Sequence, residues 1–271
     1  MGYRKTEEPT TMKFWLGTDN PSWLTHVPVP LMVSRNRLAY YKTPPRAATE
    51  WVMDSGGFTE LQRHGHWRTT AKQHADAVAM YSEQVGPMQW ASPQDWMCEP
   101  AVIHGGTFKG VHFVGTGLSV REHQRRTVGN FLELKALDVP VIPVLQGFAL
   151  PDYEKCVAMY EAAGIDLRNE PVVGLGSVCR REATDEIGRV VAAMSAHGIR
   201  CHGFGCKAGA ISRYGSMLES ADSMAWSFGG RRNGTCPKKS RCAHCLHYAL
   251  EWRTKVLNAP MGRTVQLQLA M

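Results

Sequence analysis

Short β-rich runs alternate with amphipathic stretches along nearly the whole chain, and this alternation constrains the fold more than any other feature. The runs 13–17, 30–34, 51–55, 89–92, 141–146, 172–177, 201–205 and 221–226 read as strands. Between many of them, 69–85, 119–137, 151–163, 183–197 and 242–256 read as helices. In the first of these helices Ala75, Val78, Ala79 and Tyr81 stand among polar residues, and in the second Ser119 with Glu122 has the form of a capping box. Strands that alternate with helices pair in parallel, joined by helical crossovers. Eight such strands in 271 residues predict one domain over 1–271, an α/β TIM (β/α)8 barrel rather than an open sheet. With 44% hydrophobic residues the chain can build a large core without covalent staples.

Polar residues fall where such a barrel gathers its chemistry. Asp54, Asp95, Gln146, Lys207 and Asp222 all lie at or near the carboxyl ends of predicted strands. In Asp54-Ser55-Gly56-Gly57-Phe58 the two glycines permit a sharp turn and close approach of a ligand. That leaves Asp54 at the strand mouth, placed to exchange protons, with Ser55, Gly56 and Phe58 beside it. Gln146-Gly147 brings an amide with both a donor and an acceptor, which suits the edge of a nucleobase. Gly174-Leu175-Gly176 offers backbone polar groups to a flat ligand. Asp222 supplies a second acid. Two carboxylates at one barrel mouth suffice for retaining chemistry at an anomeric carbon, one attacking the sugar while the other moves protons on the base.

Cys236, Cys242 and Cys245 form Cys-x5-Cys-x2-Cys, a thiol density that favours a tetrahedral zinc ion in a structural role within 231–257. His247 and His244 both stand near enough to be the fourth ligand. The other cysteines are scattered, Met1 to Thr11 is polar and charged, and no apolar run reaches membrane-spanning length. These features lead us to expect a reduced, cytoplasmic protein with no membrane partner. The net charge of +7 suits a polyanion, as do the basic groups Arg121, Arg125 and Arg126, then Arg180 and Arg181, Arg231 and Arg232, and Lys238, Lys239 and Arg241.

The ordered set Asp54-Ser55-Gly56-Gly57-Phe58, Gln146-Gly147, Gly174-Leu175-Gly176 and Asp222-Ser223, closed by the cysteines, resembles the tRNA-guanine transglycosylase superfamily. Phe14-Trp15-Leu16-Gly17-Thr18, Pro21-Ser22-Trp23-Leu24 and Pro30-Leu31-Met32-Val33-Ser34-Arg35 look like the opening of its DpdA branch. Trp90-Ala91-Ser92-Pro93-Gln94-Asp95-Trp96-Met97, and His123-Gln124 with Thr127 and Asn130, are similar to that branch too. The resemblance runs from about residue 13 to 255.

The resemblance implies a DNA-guanine transglycosylase that exchanges guanine in DNA for a free 7-deazaguanine base, usually 7-cyano-7-deazaguanine, and so hides the DNA from restriction. The compact length fits a phage-type member. By resemblance Asp54 shuttles protons to and from the base, Asp95 and Gln146 read its edge, Gly176 supplies a backbone contact, and Asp222 is the nucleophile. The cysteine spacing departs from the Cys-x-Cys-x2-Cys of the tRNA enzymes, and no histidine follows His247. Two rival readings are a tRNA-guanine transglycosylase and a non-catalytic nucleic-acid-binding barrel. An added RNA-binding region would favour the first, and absence of either Asp54 or Asp222 the second.

Overall fold

The computed structural model describes residues 12–86, 88–179, 181, 184–232 and 242–259. Its strands are β1 (Lys13–Thr18), β2 (Leu31–Ser34), β3 (Trp51–Asp54), β4 (Met88–Ala91), β5 (Gly106–Phe108), β6 (Val111–Phe113), β7 (Val144–Leu145), β8 (Val173–Leu175), β9 (Cys201–Gly203) and β10 (Ser220–Ser223). The α-helices are α1 (Arg35–Leu38), α2 (Gly57–His64), α3 (Ala71–Val85), α4 (Pro100–His104), α5 (Val120–Ala136), α6 (Leu150–Ala162), α7 (Asp185–Ala196), α8 (Ala208–Tyr214), α9 (Ala225–Arg232) and α10 (Leu246–Asn258).

Eight strands form one parallel sheet in the order β4-β3-β2-β1-β10-β9-β8-β7. The first and last parts of the chain are thus neighbours, with Phe14 paired to Ala221 and Trp15 to Asp222. The sheet curls until its edges meet: Ala91 bridges Val141, Ala91 N–H donates to Pro140 O at 2.7 Å and Ile142 N–H to Ala91 O at 3.2 Å. This is an α/β fold consistent with a TIM-like barrel.

Strand alternation sorts the core into two layers. Phe14 and Leu16, Leu31 and Val33, and Trp51 and Met53 face outward into the main core beneath the helices. Trp15, Met32, Val52, Trp90, Ile142 and Val172 face inward and fill the barrel axis, with Phe204 packed against them. One pleat further along, the inward positions become Ser34, Asp54, Ser92, Gly176 and Asp222. The apolar plug below therefore sets the floor of a polar layer at the carboxyl ends of the strands.

Several boundaries differ from the sequence reading. The run 141–146 ladders only over Val144–Leu145, because Pro140 and Pro143 remove two backbone donors. The last strand ends at Ser223 instead of reaching Trp226. Ser223 Oγ accepts from Ala225 N–H, and the chain turns into α9, where the Trp226 indole donates to Gly17 O at 2.8 Å. Ser119 does cap α5 through its hydroxyl, but the Glu122 carboxylate pairs with Arg125 and Arg126. The reciprocal capping box forms instead at Thr70 and Gln73. Gly57-Phe58 opens a helix, α2, and is more than a turn. No helix among the described residues is long and apolar enough to cross a membrane.

Candidate active site

The polar layer opens into a cavity of about 610 Å³ whose lining includes Asp54, Ser55, Phe58, Asp95, Gly176 and Asp222. Ser34, Ser92, Glu99, Ser177, Phe204 and Met224 also line it and were not anticipated. Residues separated by more than 160 positions in sequence meet here because the closed sheet sets their strand ends side by side.

Asp54 ends β3 in register with Ser34 on β2. Its Oδ2 accepts from Gly56 N–H at 3.1 Å. Gly56 takes φ +81°, and a Cβ there would run into the Asn36 amide, so glycine is required at this turn. Burial raises the Asp54 pKa above the ordinary carboxylate range. The Ser34 hydroxyl opposes the rise, the Asp222 charge adds to it and the Gly56 N–H opposes it. Asp54 thus touches the cavity but is otherwise enclosed by protein.

Asp222 lies one residue before the end of β10, and its Oδ1 accepts from Gly205 N–H at 2.8 Å and lies 3.3 Å from His202 Nε2. His202 is fully buried, its Nδ1 2.8 Å from Ser220 Oγ. Both contacts are satisfied when Nε2 donates to Asp222 and Nδ1 accepts from the Ser220 hydroxyl. The imidazole is fixed edge-on between Trp90 and Phe204, with centroids at 4.9 and 4.7 Å. Asp222 is therefore aimed by a packed ring and a backbone amide.

Asp95 sits on the loop after β4 and accepts from the Gln146 amide at Oδ2. Ser177 Oγ lies 2.7 Å from Gln146 Oε1, 3.0 Å from Glu99 Oε2, and accepts from Cys98 N–H at 2.7 Å. Gly176 is the floor under this amide: a Cβ would occupy the Gln146 side chain. Gln146 is wholly buried, supporting Asp95 from beneath and not itself lining the cavity. The buried stripe of α5 holds both residues in place. The Gln124 amide donates to Gln146 O and Asp152 O at 2.8 and 2.7 Å. Thr127 and Asn130 accept from Trp96 N–H and Gln94 N–H, and His123 Nδ1 meets Met97 O at 2.7 Å.

Burial pushes the Asp95 carboxyl up to about 7, with the Gln146 amide opposing and the Asp54 charge reinforcing the shift. Between pH 4 and 7 the native chain then holds a proton on Asp95 that the unfolded chain, with an ordinary carboxylate near 3.8, has lost. The native state binds more protons, so this group's contribution to stability falls as pH rises through that window, by at most about 1.4 kcal/mol per pH unit. Urea unfolding at intervals from pH 4 to 7 is expected to show a shallower decline for Asp95→Asn than for the parent. Parallel profiles would mean that Asp95 is ionised in the folded chain.

The other expected site residues take different places. Gly147 packs against Tyr153, and Gly174 against the Phe204 ring. The Leu175 side chain is buried in the outer core, so only its backbone faces inward. Lys207 is exposed at the N-cap of α8 and does not line the cavity.

Of the expected zinc ligands, Cys236 lies outside the described residues, as do Arg180, Lys238, Lys239 and Arg241. Cys242 and Cys245 are buried on one turn, Cys245 N–H donating to Cys242 O at 3.2 Å, with Cys245 capping α10. Gly230 of α9 packs directly on the Cys242 carbonyl. His247 is exposed 3.8 Å from Glu251, and His244 is exposed with Nδ1 3.1 Å from Asp19. Two buried thiols on one turn fit a thiophilic cation. Among the described residues no three candidate ligands converge.

A cavity at the carboxyl ends of parallel strands, lined by the carboxylates of Asp54, Asp95, Glu99 and Asp222, with the Asp54 and Asp95 pKa values raised, belongs to the class of sites that do acid–base and nucleophilic chemistry. Residues 10–269 match the model of the family described as DpdA, DeoxyPurine in DNA protein A. The chain belongs to that family. No curated protein matches it. Membership supports a transglycosylase-type enzyme with DNA as its partner, and a role in DNA modification.

Proposed function

We propose that the chain exchanges guanine in DNA for a 7-deazaguanine base, with 7-cyano-7-deazaguanine as the incoming substrate. The observation that carries this reading is the convergence of Asp54, Asp95 and Asp222 on one cavity. Its volume falls in the range of small-molecule sites. A guanine nucleotide leaves the stack to reach it, because the glycosidic bond is inaccessible within a duplex. Asp95, carried on its Gln146 and Ser177 support, reads the base edge. Asp222 attacks C1′, the C1′–N9 bond breaks, and guanine leaves with its bonding electrons and a proton supplied by Asp54. The raised pKa of Asp54 supports its serving as donor in this step and as acceptor in the next. The deazaguanine then occupies the vacated pocket, loses its N9 proton to Asp54 and attacks C1′ from the opposite face. The Asp222 ester breaks, and two inversions give net retention.

Parallel incubations of the protein with guanine-containing DNA and with tRNA, each with isotope-labelled guanine or 7-cyano-7-deazaguanine, test this, read by nucleoside mass spectrometry of the digested nucleic acid. Label in the nucleoside pool is expected. Label in tRNA and none in DNA would move the substrate to RNA, and label in neither would leave a binding protein. Modified DNA resisting restriction endonucleases in cells is the expected consequence, in a bacterial cytoplasm that a phage-encoded member would share.

A structural zinc is part of the same reading. Cys242 and Cys245 would hold it together with Cys236 and either His247 or His244, and the ion would tie the start of α10 to the segment after α9. Freshly reduced protein is expected to carry about one zinc per chain, and Cys242→Ser to lose it. Metal-free protein by elemental analysis would remove this assignment. The exposed arginines at the end of α9 and Arg121 are proposed phosphate contacts.

A further inference from the structure

Between β4 and α5 the chain builds a small hairpin, β5-β6, that the chemistry above does not use. Lys109 and Gly110 both take positive φ, 49° and 77°, so the two-residue loop is a tight turn of the I′ kind. Residues 106–112 are all exposed, and only Phe113 at the base is buried. Phe108 pairs with Val111 and Gly106 with Phe113, which puts Phe108, Val111 and Phe113 on one face of the ribbon. Phe113 meets the ring of Phe58, a cavity-lining residue, edge-on at 5.7 Å. The apolar face therefore starts at the cavity rim and runs outward to a tip about 7 Å further on, two residues along the strand. The base is rigid: Val114 N–H donates to Gln62 O at 3.0 Å, the Gln62 amide donates to His112 O, and Gly115 packs against Gly65.

The chemistry of this projection selects its partner. Residues 100–121 contain no Asp or Glu, while His104, Lys109, His112 and Arg121 are all exposed. Lys109 stands 5.4 Å over the Phe108 ring. An apolar tip beside a lysine, on a segment that carries no carboxylate, suits a nucleic acid, whose stacked bases lie between rows of phosphates.

We propose that the β5-β6 hairpin is a wedge for duplex DNA: Phe108, with Val111, enters the base stack beside the target guanine and fills the gap left when that nucleotide swings into the cavity, while Lys109 meets a flanking phosphate. The proposal rests on the DNA reading above. Apolar side chains inserted between base steps offset the cost of unstacking in just this way.

The test compares single-turnover incorporation of labelled guanine into two DNAs: a matched duplex, and the same duplex with an abasic site opposite the target. Phe108→Ala is expected to lose roughly 10- to 100-fold on the matched duplex, the effect of removing one stacking aromatic, and to match the parent on the abasic duplex, where the target is already unpaired. Equal loss on both DNAs, or loss on neither, overturns the wedge. A second measurement needs no exchange. With 2-aminopurine placed next to the target guanine, binding of the parent is expected to brighten its fluorescence and binding of Phe108→Ala to leave it dark. A parent that brightens the probe without exchanging base removes the exchange reading and keeps the wedge. A parent that leaves the probe dark removes the wedge.

Discussion

Asp222→Asn is expected to abolish the covalent sugar–protein adduct and to cut base exchange roughly 10⁴- to 10⁶-fold, the scale on which loss of a nucleophile acts. The substitution is close to isosteric, and its side-chain oxygen can still accept from Gly205 N–H and from His202 Nε2, the two donors that hold Asp222 Oδ1. The pocket wall therefore survives, and affinity for guanine-containing DNA is expected to stay near that of the parent. What is lost is the anionic oxygen that bonds to C1′. A denaturing gel of protein mixed with guanine-containing DNA, in the absence of an incoming base, reads the adduct directly, and a filter-binding assay reads affinity. An undiminished adduct would take the nucleophile away from Asp222. Loss of DNA binding along with the adduct would show that the carboxylate shapes the pocket as well as reacting.

The site was legible in the sequence where function is written into a few consecutive residues. Asp54-Ser55-Gly56-Gly57-Phe58 announces a strand end, a left-handed turn and a carboxylate, and the chain needs all of these locally. Gly174-Leu175-Gly176 was legible as a backbone-exposing segment, though the reason for its glycines was not: they clear space for the Phe204 ring and the Gln146 amide, which come from other strands. His202, Ser177 and Glu99 were missed because each acts through a partner brought in by the fold: Asp222 on β10 for His202, Gln146 just after β7 for Ser177, and Ser177 for Glu99. Alternation offered one usable clue. Cys201 faces the outer core, so His202 must face inward with Phe204, one layer beneath the polar ring. The polar stripe of α5 had a comparable signature, the buried His123, Gln124 and Thr127 with the half-buried Asn130 at helical spacing. Four polar side chains on an inward helix face need partners, and the backbone of the Asp95 loop and the end of β7 supply most of them. The hairpin gave no periodic signal, being two three-residue strands around a Lys-Gly turn.

Asp54→Asn is expected to slow exchange roughly 10²- to 10⁴-fold, the usual worth of a positioned proton carrier, while still forming some DNA adduct. The two displacement steps differ in how much they need the proton carrier. Attack by Asp222 can proceed, slowly, with water protonating the departing guanine. The incoming base is in a harder position, since its N9–H must be removed as the new bond to C1′ forms. Adduct formed by Asp54→Asn should therefore persist when 7-cyano-7-deazaguanine is added, whereas the parent's adduct should disappear. The substitution also removes a charge that raises the pKa of Asp95. The Asp95 carboxyl is thus expected to titrate below about 7 in the variant, so the decline in stability with rising pH, which still begins near the unfolded carboxylate value of 3.8, should end at lower pH. That shift is read by urea unfolding without any substrate, so it separates the electrostatic link between the two acids from their roles in catalysis. A denaturing gel in which Asp54→Asn forms no adduct while Asp222→Asn forms one would exchange the two roles. Base exchange at the parent rate in both variants would place the reaction away from this cavity altogether.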